Sequence, residues 1–254
     1  MKPMSQKLAL VLAATFLPAL ACGAAEQASC KLADIGTAAV AGVRDGRTLL
    51  LADGKEVRLA AIEVTDGSRD ALQQLVGGHS VRLEQFGNAP DRYGRFVAFV
   101  YAENTEQSVQ QAMVAQGQAR VSGRIGNKAC ADVLLSAEKA ARKARRGLWA
   151  DPNFAPLRPE NPTRIGAARG QFALVEGKVL SVRESGATIY LNFGRRWTKD
   201  FTVTILKRHR REFAAAGIDP KQLEGRPIRV RGWIELRTGP VIEAAAPEQI
   251  ELVE

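Results

Sequence analysis

Two arginines stand at the edges of the most apolar runs in this chain. Arg58 precedes Leu-Ala-Ala-Ile, and Arg95 opens Arg-Phe-Val-Ala-Phe-Val-Tyr-Ala directly after Tyr93-Gly94. Two acids, Glu63 and Asp66, follow the first run three residues apart. Guanidinium forks match the oxygens of an anion such as phosphate bidentately. Paired carboxylates hold a divalent cation or orient a water for attack. Together these residue types suit an anionic substrate that gains charge as it reacts.

Other chemistries lack the residues they need. Only His79 and His209 exist, too few for a histidine-based metal cluster or a paired-histidine site. No Cys-x-x-Cys, Gly-x-x-x-x-Gly-Lys-Ser/Thr or Gly-x-Ser-x-Gly occurs, which excludes a zinc ribbon, a P-loop and a nucleophile elbow of those forms.

The elements that must position these groups are mainly strands. From Thr37, Ala-Ala-Val-Ala-Gly-Val is followed by a hairpin turning at Asp53-Gly54, whose second arm carries Arg58. A helical stretch at Arg-Asp-Ala-Leu-Gln-Gln-Leu-Val, a strand at Ser-Val-Arg-Leu-Glu-Gln-Phe and a turn at Asn88–Asp91 lead to the strand opened by Arg95. Two helices follow, ending near Gly117 and Gly147. Glu63 and Asp66 cannot share a face of a regular strand, so their convergence requires a turn after Glu63. Asp66-Gly67-Ser68 also reads as a helix cap.

The blocks around these residues resemble the staphylococcal nuclease (thermonuclease) family over residues 37–154. The pattern of an arginine, an apolar run and two acids is matched by Arg58, Leu59–Ile62, Glu63 and Asp66. Asp-x-Tyr-Gly-Arg is matched by Asp91, Tyr93, Gly94 and Arg95, and the closing Arg-x-Gly-x-Trp by Arg145, Gly147 and Trp149. The resemblance implies an OB-fold five-stranded barrel with three helices that hydrolyses DNA or RNA. It implies Arg58 and Arg95 on the scissile phosphate, Asp66 positioning or deprotonating the attacking water, and Tyr93 on a substrate phosphate. It further implies Ca²⁺, with Glu63 and the Val64 carbonyl among its ligands.

Two departures stand beside this. The family's Asp-Gly-Asp-Thr reads Asp45-Gly46-Arg47-Thr48, which turns a carboxylate ligand into a cation. The two acids are exchanged as well, Glu at the ligand position and Asp at the water position. Loss of a ligand and gain of a like charge weaken a calcium site. Two readings therefore stand: a metal-assisted nuclease, and a nuclease-fold protein that binds nucleic acid or protein without hydrolysis.

The rest of the chain sets the context. Residues 1–25 combine Lys2 and Lys7, a short apolar stretch and small residues before Ala24-Ala25, the form of a secretory signal peptide. Cleavage there is favoured over lipid attachment at Cys22, so a periplasmic or secreted protein is expected. No later apolar run is long enough to anchor it in a membrane. Cleavage leaves Cys30 and Cys130, an even pair that an oxidising compartment favours joining. A formal charge of +9 fits a polyanionic partner.

Residues 30–154 read as the nuclease-like unit and the Pro-rich 155–168 as a linker. From residue 169 to 254, short strands with one helix, Lys-Arg-His-Arg-Arg-Glu-Phe-Ala-Ala-Ala-Gly, fit a second small OB-like β-barrel. The fold class expected is mainly β with helices (α+β).

Overall fold

The structure, a computed structural model, describes residues 30–87 and 89–253. The leader expected at 1–25 and Asn88 of the expected turn lie outside the described residues. The first half contains β1 (Ala33–Asp45), β2 (Thr48–Leu51), β3 (Glu56–Leu59), β4 (Ile62–Val64), α1 (Ser68–Val76), β5 (Ser80–Gln85) and β6 (Phe96–Ala102). It continues with α2 (Val109–Ala115), β7 (Ala119–Val121) and α3 (Lys128–Lys143). Strands β1-β2-β3-β6-β5 close into a barrel, while β4 and β7 form a separate ladder. The chain is mainly β with helices, as its sequence pattern suggests.

Alternation along each strand separates core from surface. Val57 and Leu59 of β3 are buried in the barrel, which turns Arg58 between them to the outer face. The pairing of β3 with β6 is parallel, with Val57 opposite Phe96 and Arg58 opposite Val97. Arg95, just before β6, thus enters beside Arg58 rather than across the barrel. The expected bridge is present between Cys30 and Cys130 and ties the start of β1 to α3. Gly117 and Gly147 both hold positive φ, and a Cβ on either would fall within 2.5 Å of the other segment's backbone. Only glycine lets the exits of α2 and α3 meet this closely.

The second half contains α4 (Pro162–Ala167), β8 (Phe172–Lys178), β9 (Ser181–Ser185), β10 (Thr188–Asn192), β11 (Thr202–Leu206) and α5 (Arg210–Ala215). It ends with β12 (Pro227–Trp233), β13 (Glu235–Leu236), β14 (Pro240–Glu243) and β15 (Ile250–Leu252). These strands form a five-stranded sheet, β13-β14-β11-β10-β9, and a three-stranded one, β15-β12-β8, where the sequence suggested five strands in one barrel. The β8–β9 and β12–β13 runs each pass from one sheet to the other. Val175, Ile228 and Val230 from one sheet and Leu191, Val203 and Ile242 from the other share one core.

The segment expected as a linker is partly structured. Asn161 caps α4 by accepting from the Arg164 amide, Pro162 takes the first turn, and Ile165 is buried in the second core. Proline costs nothing at that position, where its missing N–H would have had no helical partner.

The halves are joined by buried charge. Arg231 of β12 is fully buried and donates to Glu138 Oε2 of α3 at 2.8 Å and to the Val121 carbonyl at 3.0 Å. Arg142 binds Glu138 at 2.6 Å and Glu251 at 2.9 Å. Arg120 of β7 donates to the Phe172 carbonyl of β8 at 2.7 Å.

Candidate active site

Three turns shape the site on the outer face of β3, and two of them deliver charge to it. The first joins β1 to β2. The Asp45 carboxylate accepts from the Arg47 amide at 2.8 Å, closing an Asx turn. A Cβ on Gly46 would lie 2.8 Å from the Ser68 Cβ and 3.2 Å from Val64, so glycine lets this turn lie against the start of α1. Arg47 then reaches across to Glu63. Its Nη1 donates to Glu63 Oε2 at 2.7 Å and more weakly to the Ile62 carbonyl at 3.4 Å.

The second turn precedes Arg95. Asp91 Oδ1 accepts from the Tyr93 and Arg95 amides at 2.9 and 3.1 Å, and Gly94 takes positive φ to close the loop. Asp91 Oδ2 accepts from Arg95 Nε and Nη2 at 2.9 and 2.7 Å, a fork that fixes the guanidinium plane. Hydrogen bonding to Arg95 holds the Asp91 carboxyl down at about 2, and the same contact raises Arg95. Tyr93 is 66% exposed, with the Arg92 and Arg95 guanidiniums each 4.9 Å from its ring centre.

The third corner follows β4. Thr65 and Ser68 close it, Ser68 Oγ accepting from the Thr65 amide at 3.1 Å and donating to the Gln118 carbonyl. The residue at the cap of α1 is Gly67, with no side-chain cap, so Asp66 does not cap the helix. Asp66 is exposed and makes no hydrogen bond or ion pair among the described residues.

Arg58 sits between these devices. It is half-buried, and its guanidinium has no hydrogen-bonding or ionic partner among the described residues. Burial first, then the neighbouring guanidiniums of Arg47 and Arg95, hold it below the ordinary arginine range, while Glu63 and Asp45 partly offset them. The structure thus brings Arg58, Arg95 and Glu63 together and adds Arg47. It leaves Asp66 at the corner outside this set. Such a cluster offers unspent donors to an oxyanion.

The calcium site expected from the resemblance does not fit these residues. Glu63 already faces a cation at 2.7 Å, and Val64 lies in the β4–β7 ladder opposite Ala119. Among the described residues no three His, Cys, Asp or Glu side chains form a metal-holding group. A divalent ion brought to about 4 Å from Arg47 would meet repulsion on the order of 4 kcal/mol per unit of its charge at an effective dielectric near 20. Calcium also seeks about six to eight oxygen ligands.

Beyond Glu63 lies a cleft of about 440 Å³ between the halves, with Arg124 and Phe172 on its walls and Trp233, 52% exposed, at its rim.

An OB-type barrel whose outer face gathers arginines beside acids defines the class to which comparison with known proteins leads. Residues 54–151 match the staphylococcal nuclease homologue family. Proteins of Escherichia coli O157:H7 and Escherichia coli, each described as an uncharacterized endonuclease, are 32% identical over 127 residues, covering 46% of this chain and 79% of theirs. A probable staphylococcal-like nuclease of Oryza sativa subsp. japonica is 34% identical over 95 residues, 37% of this chain and 23% of its own. The chain belongs to the staphylococcal nuclease family.

Sequence reasoning singled out Arg47 as a lost ligand and missed it as a partner. It also left Asp91 as motif only, although a carboxylate four residues before an arginine in a tight turn signals such a fork.

Proposed function

We propose that the protein hydrolyses phosphodiester bonds of DNA or RNA, with Arg58 and Arg95 holding the scissile phosphate. The single observation that carries this is Arg58: a desolvated guanidinium, unpaired among the described residues, beside two others. An anion there would relieve that repulsion and would be bound more tightly as its charge grows toward the pentacoordinate state. Water adds to phosphorus and gives its proton to solvent, the bond to the leaving oxygen breaks, and solvent protonates the leaving group; Asp66, expected to take the proton, stands outside the arginine set. Tyr93 lies beside Arg95 as a platform for the neighbouring nucleotide.

The family and the nuclease names of relatives support hydrolysis. The leader expected at 1–25 and the Cys30–Cys130 bridge support a periplasmic or secreted location. The cleft beside Glu63 supports a part for the second half in holding substrate. A second reading, binding without hydrolysis, rests on the Arg47–Glu63 pair, which engages the acid expected to serve the metal.

Release of soluble nucleotides from single-stranded DNA, duplex DNA and RNA tests the proposal. Hydrolysis should fall about a hundredfold or more in Arg58→Ala. Absence of release by the wild type, with oligonucleotide still retained in a gel shift, would leave only the binding reading.

A further inference from the structure

We infer that Arg47 serves in place of a bound cation, so that the site grips a phosphodiester through three guanidiniums, two of them held by carboxylates, and needs no metal. This rests on the phosphodiester reading above and deepens it.

Arg47 is built in rather than draped on the surface. Its amide is pinned by Asp45, its turn is packed through Gly46 against Ser68 and Val64, and its side chain is 22% exposed. Glu63, 17% exposed, holds the guanidinium by Nη1. A guanidinium carries five N–H donors, and the protein engages only this nitrogen, so Nη2 and Nε stay unspent among the described residues. Arg47 also acts on the charge of Arg58, which places the two guanidiniums in one field.

Glu63 is then a positioning residue for Arg47. A divalent ion and the Arg47 guanidinium compete for the same carboxylate. The guanidinium is covalently attached and is not removed by a chelator. It brings one unit of charge where calcium brings two, and in exchange offers directed donors that match phosphate oxygens.

The experiment measures two properties of the intact protein. The first is the thermal midpoint with EDTA and with Ca²⁺. The second is the affinity for a labelled single-stranded oligodeoxynucleotide, read by anisotropy under both conditions. The wild type should show the same midpoint and the same affinity, within about twofold, in both. Arg47→Gln should weaken oligonucleotide binding about tenfold, with EDTA and Ca²⁺ still equivalent. Arg47→Asp should gain a midpoint that rises with Ca²⁺, because an acid then stands beside Glu63.

A wild-type midpoint raised by Ca²⁺ and made insensitive by Glu63→Gln would overturn the inference. So would an Arg47→Gln protein that folds and binds oligonucleotide as the wild type does. Cleavage abolished by EDTA would keep the nuclease reading and remove this one. Metal-independent, Arg47-dependent binding without cleavage would do the reverse. Failure to bind oligonucleotide under either condition would remove both.

Discussion

Arg231 and Glu138 face each other with neither side chain open to solvent, one from β12 and one from α3, Nη2 to Oε2 at 2.8 Å. Glu138 also accepts from the Val121 amide at 2.8 Å and from Arg142. Burying charge is costly, and breaking a buried pair by removing one partner leaves the other uncompensated. Replacing Arg231 by Met should therefore destabilise the protein by about 3–5 kcal/mol in chemical denaturation. Adding Glu138→Gln to Arg231→Met should recover part of that loss, since the buried carboxylate would otherwise be left with Arg142 as its one cation. A single substitution costing no more than a surface change would show that the halves do not depend on this pair.

The same network sets an acid limit. Burial alone would raise the Glu251 carboxyl, but Arg231 and Arg142 outweigh it and hold the group down at about 2, against an ordinary 4.5. A carboxyl lowered in the folded state contributes stability that is fully present above its unfolded value. That stability is lost as pH falls from about 4.5 toward about 2. With the side chain 18% exposed, the contribution is on the order of 3 kcal/mol. Unfolding free energy measured across this window should fall steeply in the wild type and clearly less in Glu251→Gln. Parallel curves would mean that other carboxylates set the acid limit.

Much of the first half was legible in the sequence, because alternation and turn chemistry act locally. Val57-Arg58-Leu59 fixes which way Arg58 points, and Asp91 to Arg95 is a spacing that one turn closes. Arg47 with Glu63 is different. The pair depends on a glycine-only approach between the β1–β2 turn and the start of α1, and nothing in either segment names the other. Arg231 shows the same limit. Alternation along Ile228-Arg229-Val230-Arg231 puts the arginines on an outer face, but α3 covers that face and turns a surface position into the interior. Glu138 and Arg142 of the basic helix α3 belong to the same interface. In the Pro-rich segment the prolines outweighed the Asn161-Pro162 start signal that makes α4.

Arg95 depends on Asp91 for its aim, and this separates positioning from binding. Asp91→Asn keeps an oxygen for the Tyr93 and Arg95 amides but removes the charge that holds Arg95 Nε and Nη2. The phosphate should still bind, because Arg58 and Arg47 are untouched, while the transition state loses an aligned donor pair. The expected result is a fall in kcat of about tenfold to a hundredfold, with KM changed far less. Arg95→Lys should cost about a hundredfold or more, because an ammonium cannot reproduce the fork. Because the Asp91 carboxyl is held at about 2, it stays ionised as pH falls through the range where ordinary carboxylates protonate, and the contact is lost only near that value. An acid limb in the wild-type kcat/KM profile must then come from another group and should persist in Asp91→Asn. Loss of that limb in the variant, or a kcat equal to the wild type, would remove Asp91 from the positioning of Arg95.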